Sequence, residues 1–240
     1  MKAFAVKKIF AAVVFSIIVP LLCAAEESPA DLYSKAKIAY QKRDYASAVS
    51  ALDKAIAMTE NAPNHNNYYW RARSKFGLRD YAGAIKDFDK IVELKKGDTD
   101  PHVYYWRARA EIAAKDCAAA VKDLDKTLET ADGAEDFHFY YWRGFAKREL
   151  GDNKGALADM KKAESFNPKS SNTLYYQMLA AESVQDYKTA EDAALRCLKL
   201  KLNKKSETTV RKFLRDLYKN KLNRPADAAA QDAELMRLAK

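Results

Sequence analysis

Residues 68–72 read Tyr-Tyr-Trp-Arg-Ala, and the fold prediction starts from this segment because it recurs along the chain. The same five residues return at 104–108 and, with glycine in the last position, at 140–144. The second tyrosine therefore recurs at a spacing of 36 residues, and the register extends to Tyr33, 36 residues upstream, and to Tyr175, 34 residues downstream. Recurrence at one period indicates a repeat architecture.

A second marker keeps the same register. Alanine recurs once per copy, in short blocks such as Asp-Tyr-Ala-Ser-Ala at 44–48. Apolar residues follow a three-to-four spacing on both sides of a polar turn, which predicts two helices per copy. A small residue in each first helix faces the alanine of the second helix, because a larger side chain would overpack the crossing. The small residues are Ala36, Ala72, Ala108 and Gly144, and the alanines are Ala48, Ala84, Ala120, Ala156 and Ala190.

The fourth copy resembles the tetratricopeptide repeat. The resemblance implies an all-α, right-handed α-solenoid of helix-turn-helix repeats, with five copies in residues 26–205. Residues 206–240 are expected to form a degenerate helix pair that caps the stack, since a terminal copy needs a polar outer face. The matching residues are Tyr140, Gly144, Gly151, Asp152, Ala156, Ala163 and Pro168.

Residues 1–25 have the pattern of a secretory signal peptide. Lysines at 2, 7 and 8 precede an apolar stretch at 9–22, and small residues follow before Glu26. The stretch is shorter than the roughly 20 residues that a spanning helix needs. We therefore expect a cleaved, exported protein, periplasmic or secreted. Two alternatives remain open: an uncleaved anchor, and lipid attachment at Cys23, although Leu22 stands where lipidation calls for a small residue.

The sequence contains no phosphate-binding glycine loop, nucleophile elbow or clustered metal ligands, so we expect no enzyme activity, metal or cofactor, and no small-molecule substrate. The three histidines occur once per copy, which should keep neighbours about 10 Å apart, the distance between packed helices. Cys117 and Cys197 lie two copies apart and are expected to stay unpaired. Paired acids at 87 and 89, and at 123 and 125, alternate with lysines and are interpreted as an exposed, salt-bridged helix face.

The predicted binding surface is the face of the first helices, which lines the concave groove in the family that the chain resembles. Tyrosine and arginine are frequent in interface hot spots, so a groove rich in them favours a protein or peptide partner. An alternative remains open, in which the tyrosines pack between neighbouring first helices, as we expect for the tryptophans at 70, 106 and 142. The candidate partner-binding residues are Tyr33, Lys37, Tyr69, Arg73, Tyr105, Arg109, Tyr141, Phe145 and Tyr175.

Positive charge is concentrated near the C-terminus. Residues 196–224 have a net charge of +9, whereas the rest of the chain after residue 25 has a net charge of −3. This block could contact an acidic partner or an anionic membrane surface, or form a solvated end cap. Nucleic acid is not expected, since the chain is predicted to be exported. The candidate basic patch consists of Lys204, Lys205, Arg211, Lys212 and Arg215.

These observations predict a non-enzymatic scaffold or adaptor of the cell envelope that binds a protein segment in its groove. The alternative is a lipid-anchored or membrane-surface assembly factor that acts through the basic C-terminal region. Recognition of chaperone C-terminal tails is not expected, since the first three copies lack the paired Lys, Asn and Arg residues that such a clamp requires.

Overall fold

The computed structural model describes residues 27–131 and 136–240, which form twelve α-helices and no strand. The predicted all-α repeat fold is confirmed. The predicted signal peptide, residues 1–25, and Cys23 lie outside the described residues. The helices are α1 (Pro29–Gln41), α2 (Tyr45–Met58), α3 (His65–Gly77), α4 (Tyr81–Lys95), α5 (Pro101–Ala113), α6 (Cys117–Thr130), α7 (Phe137–Glu149), α8 (Asn153–Phe166), α9 (Ser171–Ser183), α10 (Tyr187–Leu198), α11 (Lys204–Asn220) and α12 (Pro225–Ala239).

The chain divides into two compact units, and the boundary falls between Leu78 and Arg79. In the first unit, α2 packs against α1 and α3. In the second unit, each of the second helices α6 and α8 packs against its own first helix and the first helix of the next copy. The helices α11 and α12 pack against each other as a pair at the C-terminal end, where the degenerate pair was predicted.

An aspartate begins the second helix in each of the five copies. Its carboxylate accepts a hydrogen bond from the backbone N–H three residues later, as Asp80 does from Gly83 at 2.9 Å. The residue before each aspartate has a left-handed φ between 62° and 85°, although glycine occupies this position in copy four alone among the five. This geometry reverses the chain between paired helices. The capping residues are Asp44, Asp80, Asp116, Asp152 and Asp186.

Small residues at the helix crossings are buried as predicted. Ala84, Ala108, Ala120 and Ala156 are each 0% exposed. At Gly144 an added Cβ would lie 3.0 Å from the Cβ of Asp159, 3.0 Å from Met160 Cε and 3.2 Å from a backbone oxygen of the second helix. These contacts explain why glycine occupies this position of copy four.

The arginine of the repeated motif joins successive second helices. Arg107 on α5 donates from Nε and Nη2 to the carboxylate of Asp123 on α6, at 2.6 and 2.7 Å. Its Nη1 donates to Asp89 on α4, in the preceding copy, at 2.7 Å. The planar guanidinium fits a carboxylate with two parallel hydrogen bonds and leaves a third donor for the neighbour. We call this arrangement the arginine bridge.

The next copy repeats the arginine bridge. Arg143 donates two hydrogen bonds to Asp159 on its own second helix, at 2.9 and 2.6 Å, and one to Asp125 on the preceding second helix, at 2.8 Å. In the first unit, Arg71 donates to Asp53 at 2.7 Å. The arginine therefore sets the position of a first helix against the second helices on both sides.

The prediction that the paired acids lie on an exposed face is wrong for one acid of each pair. Asp87 is 3% exposed and Asp123 is 8% exposed, whereas Asp89 lies on the surface. The helical pattern identified a polar face of the second helix, but not which residues of that face a neighbouring helix covers. In copy three, Arg107 of the first helix lies against Asp123, and the arginine bridge compensates the buried charge.

The arginine bridge predicts that replacing its two aspartates destabilises the chain by different amounts. Asp123→Ala should destabilise the chain by about 3–5 kcal/mol, because the partly buried Arg107 then lacks its main counter-charge. Asp89→Ala, at an exposed arm of the same bridge, should cost about 1 kcal/mol or less. Urea unfolding followed by circular dichroism measures both values. Equal costs for the two variants would contradict the bridge as described.

A buried glutamate faces the arginine bridge of copy three. Glu111 on α5 is 8% exposed, and its Oε2 has no hydrogen-bond partner among the described residues. Burial, with the nearby carboxylate of Asp123 and weaker effects of Asp116 and Asp89, raises the pKa of Glu111 to about 8, although Arg107 opposes the rise. In copy four the equivalent residue is Lys147, whose Nζ lies 2.9 Å from the bridge carboxylate of Asp159.

Glu111 should therefore make stability depend on pH. Its pKa is higher in the folded chain than the usual 4.5, so the folded state binds the proton more tightly. This contribution is fully present below about pH 4.5 and is lost as the pH rises towards about 8. Glu111→Gln should therefore be more stable than the wild type at pH 8 and similar at pH 5, by urea unfolding at both values. A stability difference that is the same at both pH values would contradict the raised pKa.

Candidate partner-binding groove

The second tyrosine of the motif lies between copies. Tyr105 is 7% exposed, and its ring packs 5.3 Å from Phe139 of the next copy. The indole of Trp142, also in the next copy, hydrogen-bonds to the Tyr105 hydroxyl. In the first unit the same arrangement recurs, where Trp70 Nε1 donates to Tyr33 Oη at 3.0 Å. The tyrosine and tryptophan thus link neighbouring first helices, which was the alternative interpretation of the tyrosines.

Burial differs along the predicted set of tyrosines. Tyr33, Tyr69, Tyr141 and Tyr175 are half-buried, and each keeps part of its surface accessible. Burial raises the pKa of Tyr141 to about 12, with a smaller contribution from Tyr176. These four tyrosines combine packing with a solvent-facing edge, whereas Tyr105 is mostly structural.

The predicted cations lie against aromatic rings. The guanidinium carbon of Arg109 lies 4.5 Å from the ring centroid of Trp106 and 5.0 Å from that of Trp142. In the first unit, Lys37 Nζ lies 5.5 Å from the ring of Trp70. Stacking of a cation between aromatic rings is favourable and holds the side chain in one orientation.

Two other predicted residues also lie against aromatic rings. In the first unit, Arg73 lies over Tyr69 and Trp70. In copy four Phe145 replaces the cation, and its ring lies edge-on to Trp142 and Tyr176. The groove therefore becomes more apolar at this copy.

The first cavity of the second unit opens between α5, α7 and the start of α9. Its volume is about 550 Å³, and Tyr105, Arg109 and Tyr141 line it together with the tryptophans at 106 and 142. The three predicted residues are thus brought together. An aromatic cavity of this size with a few polar groups suits part of a peptide.

One polar group at the rim of the first cavity, Asp136, was missed by the sequence prediction. Asp136, the N-cap of α7, accepts hydrogen bonds from the backbone and ring of His138. Burial by itself raises the pKa of Asp136, but these hydrogen bonds and the nearby His102 hold the pKa below its usual value. His102 and His138 are exposed and line the cavity. An Asp-x-His pattern at the start of a first helix was the signal available in the sequence.

The second cavity lies between α7, α9 and α11 and has a volume of about 400 Å³. Tyr141 and Asn172 line both cavities, so the two adjoin at these residues. Tyr175 and Lys205 also line the second cavity, which joins a predicted groove residue to a predicted basic-patch residue. We call the two cavities together the first-helix groove. Asn172, which the sequence prediction missed, lies exposed at its centre.

The predicted basic patch is divided in the structure. Arg211 and Arg215 on α11 form ion pairs with Glu234 and Asp232 on α12. Lys204, Lys205 and Lys212 are exposed, and of these Lys205 lines the groove.

Three further features of the described residues concern metal ligands, thiols and membrane spans. No group of three or more His, Cys, Asp or Glu side chains in 27–131 and 136–240 could hold a metal ion. Cys117 and Cys197 are free thiols, and burial raises the pKa of both. Among the helices described, none is long and apolar enough to cross a membrane.

Comparisons with known proteins identify the repeat. Residues 137–170, the pair α7 and α8, match the family model of the tetratricopeptide repeat. This is the copy in which the sequence resemblance was strongest. No curated protein matches the sequence significantly.

Solved structures share the fold at low sequence identity. MamA from Desulfovibrio magneticus is 18% identical with a TM-score of 0.66, over 74% of this chain and 97% of that one. YrrB, described as a tetratricopeptide-repeat protein with an unusual peptide-binding site, is 14% identical with a TM-score of 0.66, over 81% and 97%. The C-terminal part of a repeat protein from Cytophaga hutchinsonii is 14% identical with a TM-score of 0.72, over 98% and 93%. The chain therefore contains a tetratricopeptide repeat at residues 137–170 and shares the all-α repeat fold of these structures.

The burial of Tyr105 predicts a large effect on stability. Tyr105→Ala should destabilise the chain by about 3–5 kcal/mol, as expected for removal of a buried aromatic ring. Tyr105→Phe should cost about 1 kcal/mol, because it removes the hydroxyl that Trp142 bonds and keeps the ring. Thermal and urea unfolding measure both, with His102→Ala at the exposed rim as the control. A loss below 1 kcal/mol for Tyr105→Ala would mean that the ring is exposed in solution.

Proposed function

We propose that this protein is a non-enzymatic scaffold or adaptor of the cell envelope, and that it binds a segment of a partner protein in the first-helix groove. The observation that carries the proposal is that the two cavities adjoin at Tyr141 and Asn172. Adjoining cavities along successive first helices accommodate a chain segment better than a compact small molecule.

The chemistry of the groove supports a peptide. Arg109, Trp106 and Trp142 hold one another in place, so their surfaces are organised before a partner binds. Fixed aromatic and arginine surfaces lose little side-chain entropy on binding, and such residues often contribute most of the affinity. The groove also presents Asn172, which can donate and accept hydrogen bonds with a peptide backbone.

The location in the cell envelope rests on the N-terminal sequence alone. A basic start, a short apolar stretch and small residues before Glu26 have the order of an export signal. The partner would therefore be another exported protein or the exported part of a membrane protein.

A single substitution at the centre of the groove tests the proposal. Asn172→Arg places a long charged side chain between the two cavities without changing a buried residue. The matched control is Ala158→Arg, at an exposed position on the second helix α8. Both variants should keep the wild-type helicity and melting temperature.

Affinity capture from an envelope fraction, followed by mass spectrometry, gives the readout. Proteins captured by the wild type and by Ala158→Arg should be lost with Asn172→Arg. Loss of one central anchor typically weakens binding by about 2 kcal/mol or more, roughly 30-fold. The proposal is wrong if Asn172→Arg captures the same partners in the same amounts.

A further inference from the structure

The helix α11 carries two sets of basic residues with different roles. Its arginines turn towards α12, where Arg211 pairs with Glu234 and Arg215 pairs with Asp232. Each also pairs with an acid on its own helix, Arg211 with Glu207 at 2.9 Å. The arginines therefore hold the last two helices together and contribute little to the outward charge.

The lysines of α11 form a second set. Lys205, Lys212 and Lys219 are seven residues apart, which is almost two helical turns, so they lie in a line along one side of the helix. All three are exposed, and none pairs with a carboxylate of the residues that the structure describes. We call these three residues the lysine stripe.

The buried side of α11 lies opposite the lysine stripe. Val210, Leu214 and Leu217 are at most 2% exposed. At 100° per residue, they centre roughly 170° away from the stripe. The stripe therefore faces solvent directly. Asp216, beside it on the helix, is already bound by Arg215 at 2.9 Å.

The lysine stripe begins at the end of the first-helix groove. Lys205 lines the second cavity together with Tyr175, Ser206 and Thr209. A segment that leaves this cavity along α11 would next meet Lys212 and then Lys219. Successive lysines are about 10.5 Å apart, close to the roughly 9.3 Å that three residues span in the polyproline II conformation, in which every third side chain points the same way.

We propose that the lysine stripe binds an acidic stretch of the same partner segment that occupies the first-helix groove. The stretch carries Asp or Glu at about every third residue, and each carboxylate meets one lysine. This inference rests on the proposed function, since it names the chemistry of that partner. The charge is complementary, because residues 196–224 have a net charge of +9.

A polypeptide fits this surface better than a membrane. Helices that lie at a membrane surface insert an exposed apolar face among the lipids. The apolar face of α11 is buried, and none of the large apolar side chains exposed within the described residues lies on α11. The stripe also leads into a cavity lined by hydroxyl and amide groups, which suit a peptide backbone.

The test measures peptide binding by the full chain without residues 1–25. The probe is a fluorescent peptide of about twelve residues with glutamate at every third position, long enough to cover the stripe and enter the cavity. Its counterpart has glutamine in place of each glutamate. The stripe variant is Lys205→Gln with Lys212→Gln and Lys219→Gln. The control variant removes three exposed second-helix charges, by Lys86→Gln, Lys122→Gln and Lys154→Gln.

The wild type and the control variant should bind the glutamate peptide, with an affinity that falls as salt rises. The stripe variant should bind about tenfold to a hundredfold more weakly and with less salt dependence. The inference is overturned if the stripe variant binds as tightly as the control variant, or if the glutamine peptide binds as well as the glutamate peptide. It is also overturned if vesicles with anionic phospholipid bind through the stripe while the glutamate peptide does not.

Partner capture separates this inference from the proposed function. If Asn172→Arg no longer captures the partner and the stripe variant still does, the groove proposal is supported and the stripe inference is wrong. If the stripe variant loses the partner and the glutamate peptide while Asn172→Arg keeps both, the groove proposal fails and the stripe remains a binding surface.

Discussion

The fold depends on an arginine that holds two carboxylates from two different second helices. Arg107 and Arg143 each bind one buried aspartate of their own copy and one more exposed aspartate of the preceding copy. The fork of the guanidinium accepts little variation in angle, so the pair of bonds fixes how far a first helix is turned and shifted between its neighbours. That orientation directs Tyr105, Arg109 and Tyr141 to the opposite side, where the groove lies.

The other residues of the motif complete this arrangement. The alanine or glycine allows the paired helices to approach, and the tryptophan donates to the tyrosine of the preceding copy, as Trp70 does to Tyr33. The arginine also lies over the first tyrosine, 5.6 Å from its ring centroid for Arg107 and Tyr104. Four residues of the segment thus contact a neighbouring helix, and the first tyrosine packs against the arginine of its own helix, which is why the segment recurs as a unit.

Much of this fold could be predicted from the sequence, because a period of 36 residues and the spacing within each copy are local properties. The small residues at the helix crossings could be predicted from the same register. The burial of Asp123 could not be predicted, since the pattern of one helix does not show which polar residue the neighbouring helix covers. Tyr105 illustrates the same limit, because the pattern placed it on the first-helix face and only the packing of Phe139 against it shows its burial.

The candidate site was also predicted only in part, because the pattern of one helix does not show what its neighbours contribute. Tyr141, Arg109 and Tyr175 follow the repeat register and line the groove. Asn172 and Asp136 also keep the register, but at helix starts where the residue type changes from copy to copy. The basic patch was predicted from the concentration of basic residues in the sequence. Its division into paired arginines and exposed lysines depends on the packing of α12 against α11. Acids on that helix bind the arginines of α11 and leave its lysines free to meet a partner.

The stability of Arg107→Met compared with Arg107→Met/Asp123→Leu tests the central claim most directly. The single variant leaves Asp123 buried without its counter-charge and should lose about 3–5 kcal/mol of unfolding free energy in urea. The double variant replaces the buried pair with apolar side chains and should recover most of that loss. A single variant as stable as the wild type would contradict the account, because the arginine bridge would then not hold the copies in place.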